Sequence, residues 1–380
     1  MIKYFNENLL YMSGMYKIKC DVLVVGAGPA GSSAARFSAL NGLKTILIDE
    51  KKEIGHPVRC AEGIGDYLFP YLPFKIPKRQ LIWRIRGMVF WADNVSIRKT
   101  GNPWSGYSVN RESLDKWLAW FAASAGAKVF PKTKLIDLDI QEDNVVKKAI
   151  VIKEKQTMEI YPKVIIAADG SESTVLKILG LYNPKKGDLA EVYSWEMKNL
   201  DLVKPHFEQI FLGDFAPCGY AYIFPKSRNI ANIGVGGLFP KKKMEYYFDE
   251  FLEIEPVKKQ TKKAEYVTEK SKKAVWGDIT SRWIYGNVIL AGDAANQNLK
   301  PFIEGILPSI ICGSVAGKLS INFIRGCPPQ QEEYLSRVES ALQPHFRISK
   351  EIQNKIVSLF KKVEKNRSYL DILSLFLDNS

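Results

Sequence analysis

The sequence predicts an α/β protein with a parallel-sheet domain, a mainly antiparallel second domain and a helical C-terminal segment. Residues 21–25 (DVLVV) form a continuous apolar run that ends in glycines, which is typical of a buried parallel strand. A helix and a second apolar run, TILID at 45–49, follow within the length of one βαβ unit. Residues 181–275 instead alternate and are rich in aromatics, as antiparallel strands are.

The other elements follow from local patterns of apolar residues, caps and breakers. In chain order they are a helix from Pro29 to about Asn41, loosely alternating strands between Phe69 and Trp104, a helix over 110–126 capped by Asn110, a hairpin over 128–152, strands over 164–169 and 287–295, a helix after Gly305 and an amphipathic helix from Pro328.

Changes of pattern along the chain predict where its parts begin and end. The boundaries are an N-terminal extension (1–19), the parallel-sheet domain (20–68 with 105–180 and 276–327), the second domain (69–104 with 181–275) and the C-terminal helical segment (328–380).

The composition describes a folded protein and favours an anionic partner. Hydrophobic residues make up 46% of the 380 residues, and 54 Lys and Arg against 41 Asp and Glu give a net charge of +13. Such a charge suits a polyanion, an anionic membrane surface or a phosphorylated substrate, although a generally lysine-rich composition explains it equally well. No basic run is interleaved with aromatics, so we expect no nucleic-acid partner.

The cysteines and the hydropathy pattern bear on metal binding and location. The five cysteines are widely spaced without a CxxC pair, and the chain has only three histidines, so we expect a reducing cytoplasm and no metal site. No apolar run reaches the roughly 18 residues of a membrane span, and the first 14 residues lack a signal-peptide core. A soluble or peripheral protein is expected.

A glycine-rich turn lies between the first apolar strand and its helix. Gly26, Gly28 and Gly31 have GxGxxG spacing, with Ala30 inside the turn. The first glycine permits the turn, the second lets the backbone approach a pyrophosphate, and the third lets the helix pack on the strand. This context predicts a dinucleotide at the helix N-terminus.

An acidic pair ends the second strand. Asp49 stands where a carboxylate accepts hydrogen bonds from the adenosine ribose, and its neighbour Glu50 is the competing candidate.

Two later segments point to FAD. AADGSES (167–173) and AGDAA (291–295) each follow an apolar strand, and they resemble the later fingerprints of the glutathione-reductase-type FAD fold, in the branch of p-hydroxybenzoate hydroxylase. The resemblance implies a Rossmann-type FAD-binding domain, with Asp169 and Gly292 at the cofactor and Asp293 holding the ribityl chain.

The same resemblance assigns two further residues to the cofactor. Arg111 opens the helix of VNRESLDKWL, where the superfamily's arginine reaches the phosphates, and guanidinium geometry suits an anion. Leu135 is also placed at the cofactor. A surface arginine that merely caps a helix is the alternative for Arg111.

With these positions in hand, the sequence resembles the geranylgeranyl reductase family, the prenyl-chain reductases of archaeal lipid and chlorophyll synthesis, over about residues 20–330. Three strings carry the likeness: RCAEG (59–63), PCGYAYIFP (217–225) and GVGG (234–237). The residues that they place at the flavin or the substrate are Arg59, Cys60, Ala61, Gly63, Tyr220, Tyr222, Phe224, Gly236 and Gly237.

The same strings also have plain structural interpretations. Cys60 can be a buried structural cysteine, and GVGG a simple turn or bulge. Tyr220, Tyr222 and Phe224 share one face of an extended strand, so they form either an aromatic wall for an apolar chain or part of the core.

The chain departs from the family at two places. Tyr222 replaces the tryptophan of PxxYxWxFP, and KPFIEGI places Ile303 and Glu304 before Gly305 and Ile306, where the family usually has glycines at the flavin ring.

The resemblance implies an FAD-dependent reductase that saturates C=C bonds in geranylgeranyl chains of membrane lipids or prenyl diphosphates. Hydride would come from the flavin, the proton from Cys60, Tyr220 or water, and electrons from ferredoxin or NAD(P)H. We expect a cytoplasmic protein or one bound peripherally to the inner face of the cell membrane. The alternatives are a flavin-dependent monooxygenase or halogenase, and a non-catalytic prenyl-lipid-binding flavoprotein.

Overall fold

The computed structural model describes residues 10–12, 15–366 and 368–376; the rest of the predicted N-terminal extension lies outside this range. The predicted helices at 29 and 110 are confirmed, and the Oδ1 atom of Asn110 accepts the Ser113 amide at 2.8 Å as a cap. The helices are α1 (Pro29–Leu40), α2 (Arg111–Ala123), α3 (Thr174–Ile178), α4 (Met244–Glu253), α5 (Glu255–Thr261), α6 (Ile306–Ile324), α7 (Gln331–Leu342), α8 (His345–Asn366) and α9 (Leu370–Ser374).

The strands form three sheets. In chain order they are β1 (Leu10–Met12), β2 (Met15–Val25), β3 (Thr45–Ile48), β4 (Gly63–Gly65), β5 (Leu81–Ile85), β6 (Gly87–Ala92), β7 (Val95–Thr100), β8 (Gly106–Val109), β9 (Lys128–Phe130), β10 (Thr133–Ile140), β11 (Val146–Lys153), β12 (Gln156–Ala167), β13 (Leu189–Lys198), β14 (Phe207–Leu212), β15 (Tyr220–Pro225), β16 (Ala231–Gly237), β17 (Glu265–Val275), β18 (Ile284–Tyr285) and β19 (Val288–Leu290).

The nine-stranded first sheet has β19, β12, β2, β3 and β9 as parallel neighbours, with the predicted β10–β11 hairpin on one side. Strand β2 starts at Met15, and residues 16–19 pair with β12, so these residues belong to the sheet rather than to the predicted extension. The predicted strand 287–295 is shorter than expected. It ends at Leu290, because Gly292 has φ of +69° and a 3₁₀ turn follows.

The second sheet confirms the predicted antiparallel domain. Its seven strands run in the order β17-β13-β16-β15-β14-β6-β7, and only the β14–β6 pair is parallel. Tyr247, Phe248 and Phe251 of α4 pack on one face of this sheet. The other face carries the alternate residues of β13, β14 and β15 and looks into the interior of the protein.

Helix α6 packs closely against α1 at the centre of the first domain. A Cβ atom built on Gly313 or Gly317 would overlap the carbonyl oxygen of Ala30 or Ala34. The Ser33 hydroxyl also donates to the Ile310 carbonyl at 2.6 Å. Contrary to the expectation from the sequence, α6 is long and apolar enough to cross a membrane and is the one such helix among the described residues, but 78% of that window is buried within the protein.

The C-terminal segment is three helices rather than one. The break between α7 and α8 falls at Gln343-Pro344, where a proline ends the helical pattern. Tyr334 of α7 is fully buried, and its hydroxyl donates to the Leu290 carbonyl at 2.8 Å. Phe376, beyond α9, stacks on Phe90 of β6 with ring centroids 4.4 Å apart, so this segment joins both domains.

Because of the α1–α6 contact, we expect Gly317→Ala to have the opposite effect on the free energy of unfolding from the same change in an exposed helix. In an exposed helix the change would stabilise by ~1 kcal/mol, because alanine is the better helix former. Here we expect a loss of about 1 to 3 kcal/mol in the free energy of unfolding, since the new methyl group meets the Ala34 carbonyl. Urea denaturation measures this, with the exposed neighbour Lys318→Ala as the control. A more stable Gly317→Ala protein would contradict the close packing.

Candidate active site

The glycine-rich turn has the geometry of a pyrophosphate cradle. Gly26 has φ of +96°, and its amide donates to the Ile48 carbonyl at 2.9 Å. A Cβ on Gly31 would overlap the Gly26 carbonyl, whereas a Cβ on Gly28 would have nothing within 4 Å. No side chain caps the start of α1 and its first turn has no acidic residue, so its amides suit a phosphate group. The residues present therefore fit the dinucleotide.

The acidic pair after β3 divides into a buried and an exposed carboxylate. Asp49 accepts the Ala27 amide at 2.7 Å and the Lys51 amide at 2.9 Å, so it fixes the glycine-rich turn. Each of its oxygens keeps a second lone pair for a ribose hydroxyl. Glu50 is exposed at the same strand end. Both residues remain candidates for the ribose contact.

The turn after β19 and the start of α6 meet beside the glycine-rich turn. A Cβ on Gly292 would lie 2.8 Å from the Ala30 Cβ, so these two residues pack face to face. A Cβ on Gly305 would lie 3.5 Å from Oδ1 of Asp293. Folding thus brings Ala30, Asp293 and Gly305 together, as the FAD resemblance implies.

Arg111 lies under RCAEG rather than on the surface. Its Nε and Nη2 atoms donate to the Asp115 carboxylate at 2.9 and 2.8 Å. Burial opposes the positive charge of Arg111, but Asp115 and the Cys60 sulfur raise its pKa above the usual value. Arg111 thus sits against the cysteine that we expect at the flavin.

Two other predicted cofactor residues have structural contacts of their own. Asp169 accepts the Ser173 hydroxyl at 2.7 Å and the Val175 amide at 3.0 Å, which caps α3. Leu135 is buried in the core beside β12. Their contact with a cofactor stays a prediction.

One cavity of about 700 Å³ joins the predicted flavin and substrate residues. It lies between RCAEG, the inner face of the second sheet, the start of α6 and the helices α8 and α9. The predicted residues on its wall are Arg59, Cys60, Ala61, Gly63, Tyr220, Tyr222, Phe224, Gly236, Gly237, Gly305 and Ile306.

The aromatic stripe of β15 forms part of this wall. Tyr222 and Phe224 are 4% and 8% exposed, with ring centroids 4.8 Å apart. The Tyr220 hydroxyl donates to the Phe302 carbonyl at 2.8 Å, and burial raises the pKa of Tyr220 well above its usual value. Tyr220 therefore fastens the KPFIEGI loop, and its role as a proton donor stays a prediction.

The KPFIEGI loop keeps a backbone that favours glycine. Ile303 has φ of +54°, a region costly for a β-branched residue. Glu304 accepts the Gly65 amide at 2.9 Å and the Tyr67 hydroxyl at 2.5 Å. The family's glycines are thus replaced here by a strained isoleucine and a hydrogen-bonded carboxyl, both on the cavity wall.

Sequence reasoning missed the buried ionic cluster beneath RCAEG. Glu62 has φ of +68° and accepts Nζ of Lys226 at 2.7 Å, Nζ of Lys270 at 3.0 Å and the Arg111 amide at 2.9 Å. Burial alone would raise the pKa of Glu62, but Lys270 and Lys226 lower it to about 2. The only signal was an acidic residue between the small residues Ala61 and Gly63 of this string.

Lys300 is a second residue of the candidate site that the spacing of the sequence motifs could not indicate. Its Nζ donates to the Asn296 and Asn298 side chains at 2.8 and 2.5 Å, behind Asp293. Burial lowers the pKa of Lys300 to about 7, although Asp293 opposes this shift. Lys300 places a titratable cation at the cofactor end of the cavity.

Comparison with known proteins agrees with this site. Residues 21–176 match the family model for FAD dependent oxidoreductase, and residues 188–271 match the geranylgeranyl reductase catalytic domain. A myxobacterial chondrochloren halogenase shares the fold, with a TM-score of 0.67 at 16% identity over 85% of this chain and 78% of that one. The protein is therefore an FAD-dependent oxidoreductase, which confirms the predicted cofactor and fold.

Nearer relatives identify the family. The digeranylgeranylglycerophospholipid reductase of Methanococcus aeolicus is 36% identical over 84% of this chain and 81% of that protein. A geranylgeranyl bacteriochlorophyll reductase-like structure from Thermoplasma acidophilum has a TM-score of 0.80 and 27% identity over 91% of both chains. The chain belongs to the geranylgeranyl reductase family, as the sequence predicts.

The buried cluster predicts a large effect of Glu62→Gln. The change removes the more deeply buried of the two carboxylates that Lys226 and Lys270 share and leaves Glu196 alone to balance both lysines, so we expect a loss of about 3 to 5 kcal/mol in stability at neutral pH. Because the folded pKa of Glu62 is depressed, its stabilising contribution is present above pH ~4.5 and is lost as the pH falls towards about 2. Urea denaturation at several pH values measures both effects.

The control is Glu112→Gln on the neighbouring helix. Oε1 of Glu112 lies 2.7 Å from Nζ of Lys116, and both side chains are partly exposed to solvent. The loss in the free energy of unfolding should therefore stay below ~1 kcal/mol. Equal losses in the two variants would refute the special role of the buried cluster.

Proposed function

We propose that the protein uses FAD to saturate the isolated double bonds of geranylgeranyl chains on a phosphorylated lipid, as the names of its relatives suggest. The observation that carries the proposal is the cavity itself. It begins at Gly305 and Ile306, where the flavin ring is expected, and continues along the apolar face of the second sheet between Ile210, Tyr222 and α9.

The rim of the cavity suits an anionic headgroup. Arg59 and Lys355 are exposed and Lys272 is half-buried, and all three contribute to the cavity wall. An amphiphile with a long apolar tail and a phosphate head matches this division between a basic rim and an oily interior. A prenyl diphosphate and a prenyl phospholipid share that chemistry.

The reaction has three requirements that the protein must meet. An isolated alkene has no carbonyl to stabilise developing charge, so the chain must be aligned, water must be excluded and a proton must be available. The buried face around Tyr222, Phe224 and Ile210 supplies the first two. When bound, reduced FAD supplies hydride.

The source of electrons and the location belong to the same proposal. We infer that ferredoxin or a transiently bound NAD(P)H reduces the flavin, because no second glycine-rich nucleotide motif occurs in the sequence. The positive charge and a lipid substrate favour a cytoplasmic protein that contacts the inner face of the cell membrane.

A single-turnover experiment tests this function. The FAD-loaded protein is reduced anaerobically with dithionite and mixed with a digeranylgeranyl phospholipid or with its saturated counterpart. Flavin reoxidation only by the unsaturated lipid, with a product heavier by one H₂ for each reduced bond, supports the proposal. No reoxidation by any prenyl acceptor indicates the non-catalytic binder, and a product that requires O₂ indicates a monooxygenase or halogenase.

The basic rim predicts a selective effect of Lys272→Ala. Loss of one partly exposed phosphate contact should raise KM for a phosphorylated lipid about three- to tenfold and leave kcat unchanged. The uncharged prenyl alcohol should show no change. Lys273→Ala is the matched control, because Lys273 is the next residue of β17 and lies outside the cavity wall. An equal rise in KM for the alcohol would argue against a headgroup site.

A further inference from the structure

One acidic side chain projects into the cavity from the middle of the second sheet. Glu208 lies on β14, where Glu208, Ile210 and Leu212 share the face that lines the cavity. A Cβ built on Gly63 of RCAEG would lie 2.5 Å from its Oε1 atom and 3.4 Å from the Phe224 ring. Glu208 therefore stands between the cofactor loop and the aromatic stripe, where the two predicted sites meet.

Glu208 differs from the other carboxyls near the cavity in its partners. Glu62 faces two lysines, and Glu304 accepts an amide and a hydroxyl. Within the part of the chain that the structure describes, no hydrogen bond or ion pair engages the Glu208 carboxyl. A carboxyl without donors in an apolar cavity favours its protonated form.

The charges around Glu208 act in the same direction. Burial raises the pKa of Glu208 to about 8, and the carboxyl of Glu304 adds to this shift. The other titratable groups that line the inner part of the cavity are Tyr220 and Tyr222 of β15, Cys60 of RCAEG, Tyr67 behind Glu304, Lys300 at the start of the KPFIEGI loop, and His345 of α8. The lysines of the ionic cluster are engaged by Glu62 and Glu196.

We propose that Glu208 is the acid that delivers the proton to the substrate double bond, an inference that rests on the proposed reductase function. It replaces the candidates Cys60, Tyr220 and water. Tyr220 donates its hydrogen bond to Phe302, and the Cys60 sulfur accepts the Glu62 amide at 3.3 Å. Glu208 is a carboxylic acid with its proton free to move, on the wall that the alkene must touch.

One proton and one hydride together saturate the double bond. The O–H bond of Glu208 breaks, and its proton forms a C–H bond at the alkene carbon that already carries hydrogen. Reduced FAD, when bound, would supply the hydride for the second C–H bond at the methyl-bearing carbon, so that the alkene would be reduced and the flavin oxidised. The Glu208 carboxylate then takes a proton from water.

The first test uses infrared spectroscopy on the FAD-loaded protein without substrate. The wild type should show the carbonyl stretch of a protonated carboxylic acid at pH 7, and this band should fade as the pH rises through about 8. Glu208→Gln should lose the component of the band that fades in this pH range, and any remaining absorption belongs to other buried carboxyls with raised pKa values, such as Glu304 and Asp169. A wild-type protein whose Glu208 is already ionised at pH 7 would overturn the proposal, whatever the fate of the reductase function.

The second test follows anaerobic reoxidation of reduced flavin by a geranylgeranyl lipid. Glu208→Gln should bind FAD and accept electrons normally but reoxidise at least about 100-fold more slowly, the size of a lost general acid. Glu208→Asp should recover part of the rate. The control Glu191→Gln, at an exposed site of β13 outside the cavity wall, should match the wild type.

The pH profile separates a proton donor from a merely structural residue. The wild-type rate constant should fall above pH about 8, because the protonated acid is the active form. Glu304→Gln removes the neighbouring carboxylate, so this fall should move to lower pH. A Glu208→Gln protein with a wild-type rate, or a wild-type profile that Glu304→Gln leaves unmoved, would refute the assignment. No reoxidation of the wild type by prenyl lipids would instead refute the reductase function itself.

Discussion

The geometry of the candidate active site depends on the buried negative charge of Glu62. This one carboxylate receives hydrogen bonds from the backbone of α2 in the first domain and from Lys226, Lys270 and Asn232 of the second sheet. It holds RCAEG in a left-handed turn between the two domains, so Cys60 and Gly63 face the cavity. Removing charge from water is costly, and the cost is met only while all partners stay in place. The cavity and the domain arrangement are thus stabilised together.

The packing of the two domains also places three carboxyl groups in three different environments. Glu62 is ionised by its lysines, Glu304 is held by an amide and a tyrosine hydroxyl, and Glu208 faces an apolar space. Environment rather than residue type sets the proton affinity of each. A reaction that needs a dry cavity and an available proton can use such a separation. Tyr220, whose role as a proton source stays a prediction, anchors the KPFIEGI loop through its hydroxyl.

The sequence was sufficient for features that local backbone geometry dictates. The Gly26–Gly31 turn, the Asn110 cap and the alternation of β15 each follow from steric or periodic rules. Contacts between distant segments could not be predicted in this way. Alternation places Glu208 on a sheet face, but it does not tell which face looks into the cavity or that Glu304 lies nearby. The side-chain partners of Glu62, which are Lys226, Asn232 and Lys270, follow it in the chain by well over a hundred residues, so no spacing rule links them.

The stack of Phe376 on Phe90 and Phe302 has a consequence for how the protein folds. It covers the apolar face of the second sheet with a segment that is remote in sequence. Such contacts form late, because the entropy cost of closing a long loop must first be overcome. Until that segment has packed against the sheet, β6 and β14 expose an apolar surface to water, and association with other molecules competes with folding. Refolding yield should accordingly fall with protein concentration more steeply than for a protein whose core closes locally.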